Sequence, residues 1–371
     1  MAERASRADV SYVMPIRWQD DTGLPELVDY LRDLAPMVAE VIVVDASPEL
    51  RFRRHAAALA GIARHLRPDP RHRFRMGKVE GVTTGVLAAG REKVVIADDD
   101  VRYEAESLRR VEALLDEAEL VRPQNYFRPL TWHARLDMSR TLLNRVHSGD
   151  PELGPGDFPG TLAVRRSAFE AVGGYDGDVI FENLELMRTL SAAGGRLALP
   201  LDLYVRRTPP SARHFLSQRV RQAYDDFAIP ARMVAFLLVV PGALLALARR
   251  RPGAIALAAA AIVGLAEAGR RRAGGRAVFP ASSVSLAPMW VLERGVSAWL
   301  AVASRLRHGG VRYAGQLVPG AANSRRVLHR RVGGALLAGA TRPETDPLVG
   351  SVAEGAHAGA PAAAEGDHAP A

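Results

Sequence analysis

The run Lys93-Val94-Val95-Ile96-Ala97-Asp98-Asp99-Asp100-Val101 constrains this chain more than any other stretch. Its apolar residues follow one another without polar alternation, as a strand buried on both faces of a parallel sheet requires. Three carboxylates come immediately after. In open α/β sheets ligands gather outside the carboxyl ends of the strands, so these acids fall where chemistry is expected. Like charges this close repel unless a cation is present. Asp98 and Asp100 stand two apart and, at a strand end bending into a turn, can address one site. A hard divalent ion such as Mg²⁺ or Mn²⁺ takes oxygen ligands and leaves positions for phosphate oxygens. A solvated acidic turn behind a core strand is the competing reading.

The flanking pattern builds an α/β domain. Val10 to Ile16 reads as a first strand, stopped by Pro15 and a polar loop. Leu24, Leu27, Val28, Leu31 and Leu34 recur at helical spacing, and Val38 to Val44 is a second strand running into Asp45-Ala46-Ser47. Strand, helix, strand in that order implies a right-handed parallel crossover. Spacing predicts further helices over 79–89, 108–120, 168–172 and from Phe181 to about Ala193, the last closed by Gly194-Gly195. Leu120 to Arg122 and 160–167 read as strands. Lys78, just ahead of a helix, can meet a phosphate. The stretch 123–160 is rich in Pro, Trp, His, Asn and Gly, which predicts a long irregular connection serving as an acceptor-side loop or lid.

Composition narrows function by exclusion. None of the 371 residues is cysteine, which removes disulfides, thiolate zinc sites and cysteine nucleophiles. Lys and Arg outnumber Asp and Glu by 49 to 41, compatible with nucleic acid, a membrane surface or anionic small substrates. The basic stretch 51–75 interleaves only Phe52 and Phe74, too little for base stacking. A solvated helix and loop is favoured there, and no nucleic-acid partner is expected. Met1 to Asp9 is polar and Val10 to Ile16 is short for a secretory core, so no signal peptide is expected and the amino-terminal part should stay in the cytoplasm.

From Ala231 the character changes. Met233 to Ala248, interrupted by Pro241-Gly242, and Gly253 to Ala266 are apolar runs, each short of the ~20 residues that cross a bilayer comfortably. Arg249 to Arg251 and Arg270 to Arg272 follow them. Two spans cannot leave both clusters inside, so one run is re-entrant or in-plane, or one cluster is outside. Leu286 to Leu306, with Trp290, Trp299 and a central Glu293-Arg294, reads as an interfacial helix. A soluble hydrophobic bundle is the alternative to the favoured membrane association. Residues 340–371, rich in Ala, Gly, Pro, Glu and His, are expected to be disordered.

In order along the chain stand Val43-Val44-Asp45-Ala46-Ser47, Gly77-Lys78, Asp98-Asp99-Asp100, Phe158-Pro159-Gly160-Thr161, Glu182-Asn183-Leu184-Glu185 and Gln218-x-x-Arg221. Over roughly residues 10–230 this series resembles the family 2 glycosyltransferases, and looks closest to their membrane-bound, ceramide-glucosyltransferase-like branch. The resemblance implies a GT-A nucleotide-diphospho-sugar transferase domain over 1–230, with a mainly parallel sheet. Membrane-associated helices over 231–310, a short basic segment over 311–339 and a tail over 340–371 would follow. It also implies a nucleotide-sugar donor, a lipid or lipid-linked acceptor, inverting transfer, and a place at the cell membrane with the catalytic domain cytoplasmic.

Residue by residue, Asp45, Lys78, Asp98, Gln218 and Arg221 match donor-binding positions, with Asp98 and Asp100 the pair that carries Mg²⁺ or Mn²⁺. Gly160 and Thr161 match the acceptor-side loop. Arg221 can offer fork-like hydrogen bonds to an oxyanion. Two departures matter. Gln222 stands where the motif has Trp, and Asn183 stands where the family has its catalytic Asp. An amide accepts no proton, so a base must come from Glu182, which is favoured, or Glu185. Both glutamates could instead hold basic partners such as Arg188 or Arg221. An acceptor phosphate, as in polyprenyl-phosphate sugar synthases, would need no base at all. A membrane-anchored, catalytically weak nucleotide-sugar-binding scaffold is the further alternative.

Overall fold

The computed structural model describes residues 7–148 and 160–340, with side chains as far as 333. The motif residues Phe158 and Pro159 and the tail 341–371 lie outside the described residues. β1 (Ala8–Ile16) runs through Pro15 rather than stopping there, with Pro15 opposite Val44 near the strand end. α1 (Leu24–Leu34) buries Leu27, Leu31 and Leu34, the apolar stripe its spacing announces. β2 (Val38–Asp45) pairs parallel with β1, completing the crossover. α2 (Glu49–Leu59) and the short β3 (Arg64–Leu66) extend the sheet outward from β2.

α3 (Gly77–Ala88) starts ahead of the expected helix, so Lys78 sits in its first turn. Two of its glycines set how closely it lies on the sheet. A Cβ at Gly85 would come within 2.3 Å of Val13 Cγ1, and one at Gly81 within 2.8 Å of Pro15 Cβ. β4 (Lys93–Ala97) is fully apolar in the middle and pairs parallel with β1. β5 (Val101–Arg102) follows the acids. α4 spans Ala105–Leu114 instead of 108–120, because a Glu104–Ser107 capping box starts it earlier. β6 (Leu120–Val121) then returns to the sheet.

Of the connection expected to be irregular, the described part 123–148 is largely regular, and 149–159 lies outside the described residues. β7 (Gln124–Phe127) is followed by α5 (Trp132–Arg145), capped by the Thr131 side chain. Its buried side mixes Ala134, Leu136, Met138 and Leu142 with polar residues that bond to distant partners, which blurs the apolar spacing. Ser139 Oγ donates to the Ser283 carbonyl at 2.6 Å, and Asp137 lies 3.4 Å from Arg219. β8 (Thr161–Arg165), α6 (Arg166–Ala171, not 168–172), α7 (Glu182–Ala192) and β9 (Leu197–Ala198) follow. Then come β10 (Tyr204–Arg207), α8 (Ala212–Ser217) and α9 (Arg219–Tyr224).

The main sheet has the order β3-β2-β1-β4-β8-β6-β9 and is mainly parallel, with β8 antiparallel to both β4 and β6. A second sheet, β5-β10-β7, stands beside it. Apolar clusters fill both faces of the main sheet, Val13, Val94 and Ile96 on one and Tyr12, Val95 and Ala97 on the other. Fold class is therefore α/β, as the unbroken strands require.

The apolar third is helical. α10 (Pro230–Ala248) carries Pro241 inside it, and α11 (Pro252–Arg271) follows after a tight turn. Both exceed the runs read from sequence because Pro230 and Pro252 start them, a position where proline costs no hydrogen bond. At ~1.5 Å per residue a 19-residue helix spans about 28 Å, close to the ~30 Å apolar thickness of a bilayer. Two segments, Pro230–Ala248 and Pro252–Val278, are long and apolar enough to cross a membrane, and only 6% and 11% of them is buried. The short α12 (Gly275–Val278) and α13 (Ala281–Ser285) lead to α14 (Ala287–His308). α14 buries Trp290, Arg294 and Ala298 against the α/β body while Met289, Leu292, Val296 and Trp299 remain about half exposed.

Two fastenings tie this region to the body. Arg145, fully buried, donates to the carbonyls of Leu201, Gly269 and Arg272, and Arg272 Nη1 donates back to the Arg145 and Val146 carbonyls. The segment after 310 is more than a basic tail. β11 (Val311–Tyr313) and β12 (Gln316–Val318) form a hairpin, and α15 (Arg325–Ala340) packs on α7. Ile180 N donates to Gly320 O, and Tyr224 OH to Pro319 O.

Candidate functional site

One cavity of about 580 Å³ opens at the carboxyl ends of β1, β2 and β4. β1 is the strand from which the chain turns to β2 on one side and β4 on the other, and such a switch point leaves a crevice between diverging loops. Trp18 from the loop after β1, Lys78 from α3 and the acid triplet after β4 line it. Arg207 from β10, Glu182 from α7 and Arg221 from α9 complete the ring.

The acids are neutralised by two cations. Lys78 Nζ lies 2.6 Å from Asp98 Oδ1 and 2.7 Å from Glu182 Oε1. Burial would depress this ammonium, but the two carboxylates outweigh it and hold its pKa well above the ordinary lysine value. Arg207 grips Asp100 with both edges, Nε to Oδ1 at 3.0 Å and Nη2 to Oδ2 at 2.6 Å, and its Nη2 is 3.6 Å from Asp98 Oδ2. Asp98 and Asp100 therefore do face one point, as their spacing suggests. Asp99 turns away and accepts from Trp18 Nε1. Burial, then the Asp100 charge, raises its pKa.

Two carboxylates meeting at a cation fit a divalent ion that draws its remaining oxygens from water and phosphate. Among the described residues no cluster of three or more His, Cys, Asp or Glu gathers to hold a metal unaided. A metal here would need the oxygens of a bound ligand.

Glu182 is buried. Its Oε1 takes the Lys78 contact, while Oε2 has no hydrogen-bond partner. Burial raises its pKa, with Lys78 pulling the other way. Arg221 makes no side-chain hydrogen bond or ion pair among the described residues, and its guanidinium lies 5.3 Å over the Tyr313 ring at the hairpin tip. It faces the cavity with no carboxylate at ion-pair distance, although Asp225 and Glu182 both feel its charge.

A second lobe of the cavity runs between α5, α9 and the first turns of α10 and α14, lined by Arg140, Arg232, Arg294, Phe236 and Trp290. Asp226 answers two of these arginines, 2.6 Å from Arg232 and 3.8 Å from Arg294. Asp225 is half-buried nearby, and desolvation pushes its pKa up to about 7 against the pull of Arg221.

Other expected residues go elsewhere. Asp45 does not line the cavity. It is fully buried, and its Oδ2 lies 2.7 Å from His55 Nδ1 and 3.1 Å from His65 Nε2, while Oδ1 accepts from Ser47 N. These hydrogen bonds outweigh burial and hold its carboxyl far below the usual range. Thr161 also lies in the core, donating to the Ile96 carbonyl at 2.7 Å. Glu185 faces away from the cavity, both oxygens accepting from Asn323 at 2.7 Å. Neither glutamate pairs with Arg188, which donates to the Asn323 and Ala228 carbonyls. Gly160 and Gln218 line the cavity, and so do the two departures from the motif, Asn183 and Gln222, with Gln222 accepting from Arg219 at 2.9 Å.

Sequence reading missed Trp18, Arg207 and Arg294. A signal existed for Arg207. In Tyr204-Val-Arg-Arg207 strand alternation puts it on the same side as the buried Val205.

No protein-family model matches this chain, and no curated protein matches it. Among solved structures, a mannosyltransferase from Pyrobaculum calidifontis in complex with GDP-Man and Mn²⁺ is 21% identical, covering 79% of this chain and 88% of that one with a TM-score of 0.48. Glucosyl-3-phosphoglycerate synthase from Mycobacterium tuberculosis, in complex with Mn²⁺, UDP and glucosyl-3-phosphoglycerate, is 19% identical. It covers 57% of this chain and 75% of that one with a TM-score of 0.39.

Proposed function

We propose that the chain is a membrane-attached, metal-dependent glycosyltransferase that moves a sugar, with inversion, from a nucleotide-sugar donor to a lipid-linked acceptor. One observation carries the reading. A single cavity gathers two carboxylates converging on a cation, an arginine outside any close ion pair and a buried glutamate with an unused oxygen.

Asp98 and Asp100 would hold Mg²⁺ or Mn²⁺, which when bound stabilises charge developing on a leaving diphosphate. Arg221 offers the donor's phosphates a planar fork of hydrogen bonds. Glu182 Oε2 takes the proton of the acceptor hydroxyl as that oxygen bonds to the anomeric carbon. The bond from that carbon to the donor's phosphate oxygen breaks, and its electron pair leaves with the nucleoside diphosphate. Entry opposite the leaving group inverts the centre. Burial makes Glu182 a stronger base than an exposed carboxylate, while Lys78 keeps it ionised.

A second reading has its own support. Arg140, Arg232 and Arg294 line the lobe next to the exposed apolar helices, where a phosphate-bearing lipid could bring its headgroup. Such an acceptor is already an anion and needs no base.

The test uses the purified full-length protein with a panel of radiolabelled nucleotide sugars and Mn²⁺, scoring nucleoside diphosphate release and label in a lipid extract. Release from at least one donor, lost on adding EDTA, is expected. Absence of release from every donor with either Mn²⁺ or Mg²⁺ would overturn the enzyme reading in favour of a binding scaffold.

A further inference from the structure

Arg207 occupies the point on which the acid pair converges, and the fold leaves it no retreat. Its backbone lies between two strands, Arg207 opposite Val101 in β5 and Phe127 in β7. Arg128 N donates to its carbonyl at 3.0 Å, and Thr208 N donates to the Asp100 carbonyl at 2.8 Å. The side chain is four-fifths buried, with its guanidinium 5.7 Å from the centre of the Phe127 ring. On the remaining side stands Gly160, where a Cβ would come within 2.7 Å of the guanidinium carbon. Only the end of the side chain has somewhere to go, and that is into the cavity.

From this we infer that Arg207 is a built-in counter-ion that guards the metal site. It holds Asp100, and through Nη2 touches Asp98, until a metal arrives together with a phosphate that gives the guanidinium a new partner. The inference rests on the reading of Asp98 and Asp100 as the metal pair. A guanidinium forked onto a carboxylate and a divalent ion on the same oxygens exclude each other. A metal entering alone must strip Arg207 of its partner and leave a buried cation unpaired, which is unfavourable. A metal entering with a diphosphate does not, because the planar fork suits phosphate as well as carboxylate. The chain would then admit metal and donor together and hold little metal between turnovers. Lys78 differs, since it holds Asp98 Oδ1 and is itself fixed by Glu182, so it stays in place through the exchange.

Mn²⁺ binding to the purified full-length protein, followed by electron paramagnetic resonance, tests this without any turnover. Titrations are run without nucleotide, then with saturating UDP and, in parallel, GDP. Arg207→Met removes the competing cation and keeps most of the side-chain bulk. It should bind Mn²⁺ alone at least tenfold tighter than wild type, and gain correspondingly less from nucleotide. Arg207→Lys, which keeps the charge but not the fork, should fall between the two and carries the test should the methionine variant fail to fold. Variants that bind Mn²⁺ alone no tighter than wild type, while all forms bind it with nucleotide, would overturn the guarding role and leave the metal pair standing. Absence of Mn²⁺ binding in every form with either nucleotide present would remove the metal pair and this inference together.

Discussion

Gly160→Ala adds one methyl group at the point where the geometry has least room. A Cβ there would lie 2.5 Å from Asp98 Oδ2 and 2.7 Å from the Arg207 guanidinium carbon, where ordinary contacts begin near 3.4 Å. Both must move to reach that distance, Asp98 by about 0.9 Å and Arg207 by about 0.7 Å. Gly160 cannot yield instead, because its N–H donates to Asn125 Oδ1 at 2.9 Å and its carbonyl accepts from Asp98 N at 2.8 Å. A shift of that size at Asp98 breaks its 2.6 Å contact with Lys78, and a shift at Arg207 loosens its fork on Asp100. Displacing a reacting group by ~1 Å costs on the order of 10²-fold in rate, whereas overpacking of this kind costs about 1–3 kcal/mol in stability. Donor turnover with Mn²⁺ should therefore fall about a hundredfold in kcat/KM while the protein still melts cooperatively. Gly173→Ala is the control, since Gly173 has a φ of +72° with nothing within 4 Å. It should cost only the ~1–2 kcal/mol of left-handed backbone and leave turnover unchanged. A Gly160→Ala enzyme within about threefold of wild type, a difference well under 1 kcal/mol, would show that chemistry does not depend on this cluster.

The two glutamates should separate cleanly. Glu182→Gln should lower turnover by ~10²–10⁴ with little change in melting temperature, while Glu185→Gln, which weakens the Asn323 latch, should lower melting temperature and spare turnover. Near-normal turnover in Glu182→Gln would favour the phosphate acceptor. Arg221→Lys keeps charge but loses the fork, so donor turnover should fall at least tenfold, about 1.4 kcal/mol, and a variant within twofold would show that a point charge suffices. Asp225 is faced by Arg221 of α9, Asp226, Arg232 of α10 and Arg294 of α14. Its folded pKa near 7 exceeds the ordinary aspartate value of 3.8, so the stability it contributes is complete below about 4 and is lost as pH rises through about 7. Melting temperature should fall over that window in the wild type and less so in Asp225→Asn, and equal slopes would refute the assignment. Finally, the full-length protein should partition with membranes at high salt and need detergent for release, and recovery in the soluble fraction without detergent would remove the membrane reading.

What the sequence disclosed and what it hid have physical reasons. β1, β2 and β4 were legible because a strand buried on both faces must be apolar throughout, and the acids after β4 were legible because three carboxylates rarely stand together without purpose. α5 was hidden because its buried stripe of Ala134, Met138 and Leu142 is interleaved with Asp137, Ser139 and Arg145, which are buried against distant polar partners. Asp45 was matched to a donor-binding position by its motif, yet the histidines that hold it in the core stand at 55 and 65, and pairing across α2 and β3 leaves no local trace. The same holds for Arg207 against Asp100, separated by 107 positions. Thr161 is polar only because it closes a bond to β4, a role that a motif match cannot distinguish from a place in the site.

The reciprocal fastening of Arg145 and Arg272 has a geometric consequence. α11 is pressed so closely on α5 that a Cβ at Gly269 would lie 1.9 Å from the Leu142 carbonyl oxygen, which rules out sliding of one helix on the other without breaking that contact. With the two arginines hydrogen-bonded across the same junction, the apolar hairpin is fastened to the body that carries the acid-lined cavity. On the proposed membrane reading, the height of the chemistry above the lipid is then a constant of the fold, and the molecule acts as a depth gauge. An acceptor would be chosen by the length of the polar stem between its lipid anchor and its reacting oxygen, before any contact with its sugar or phosphate has been made.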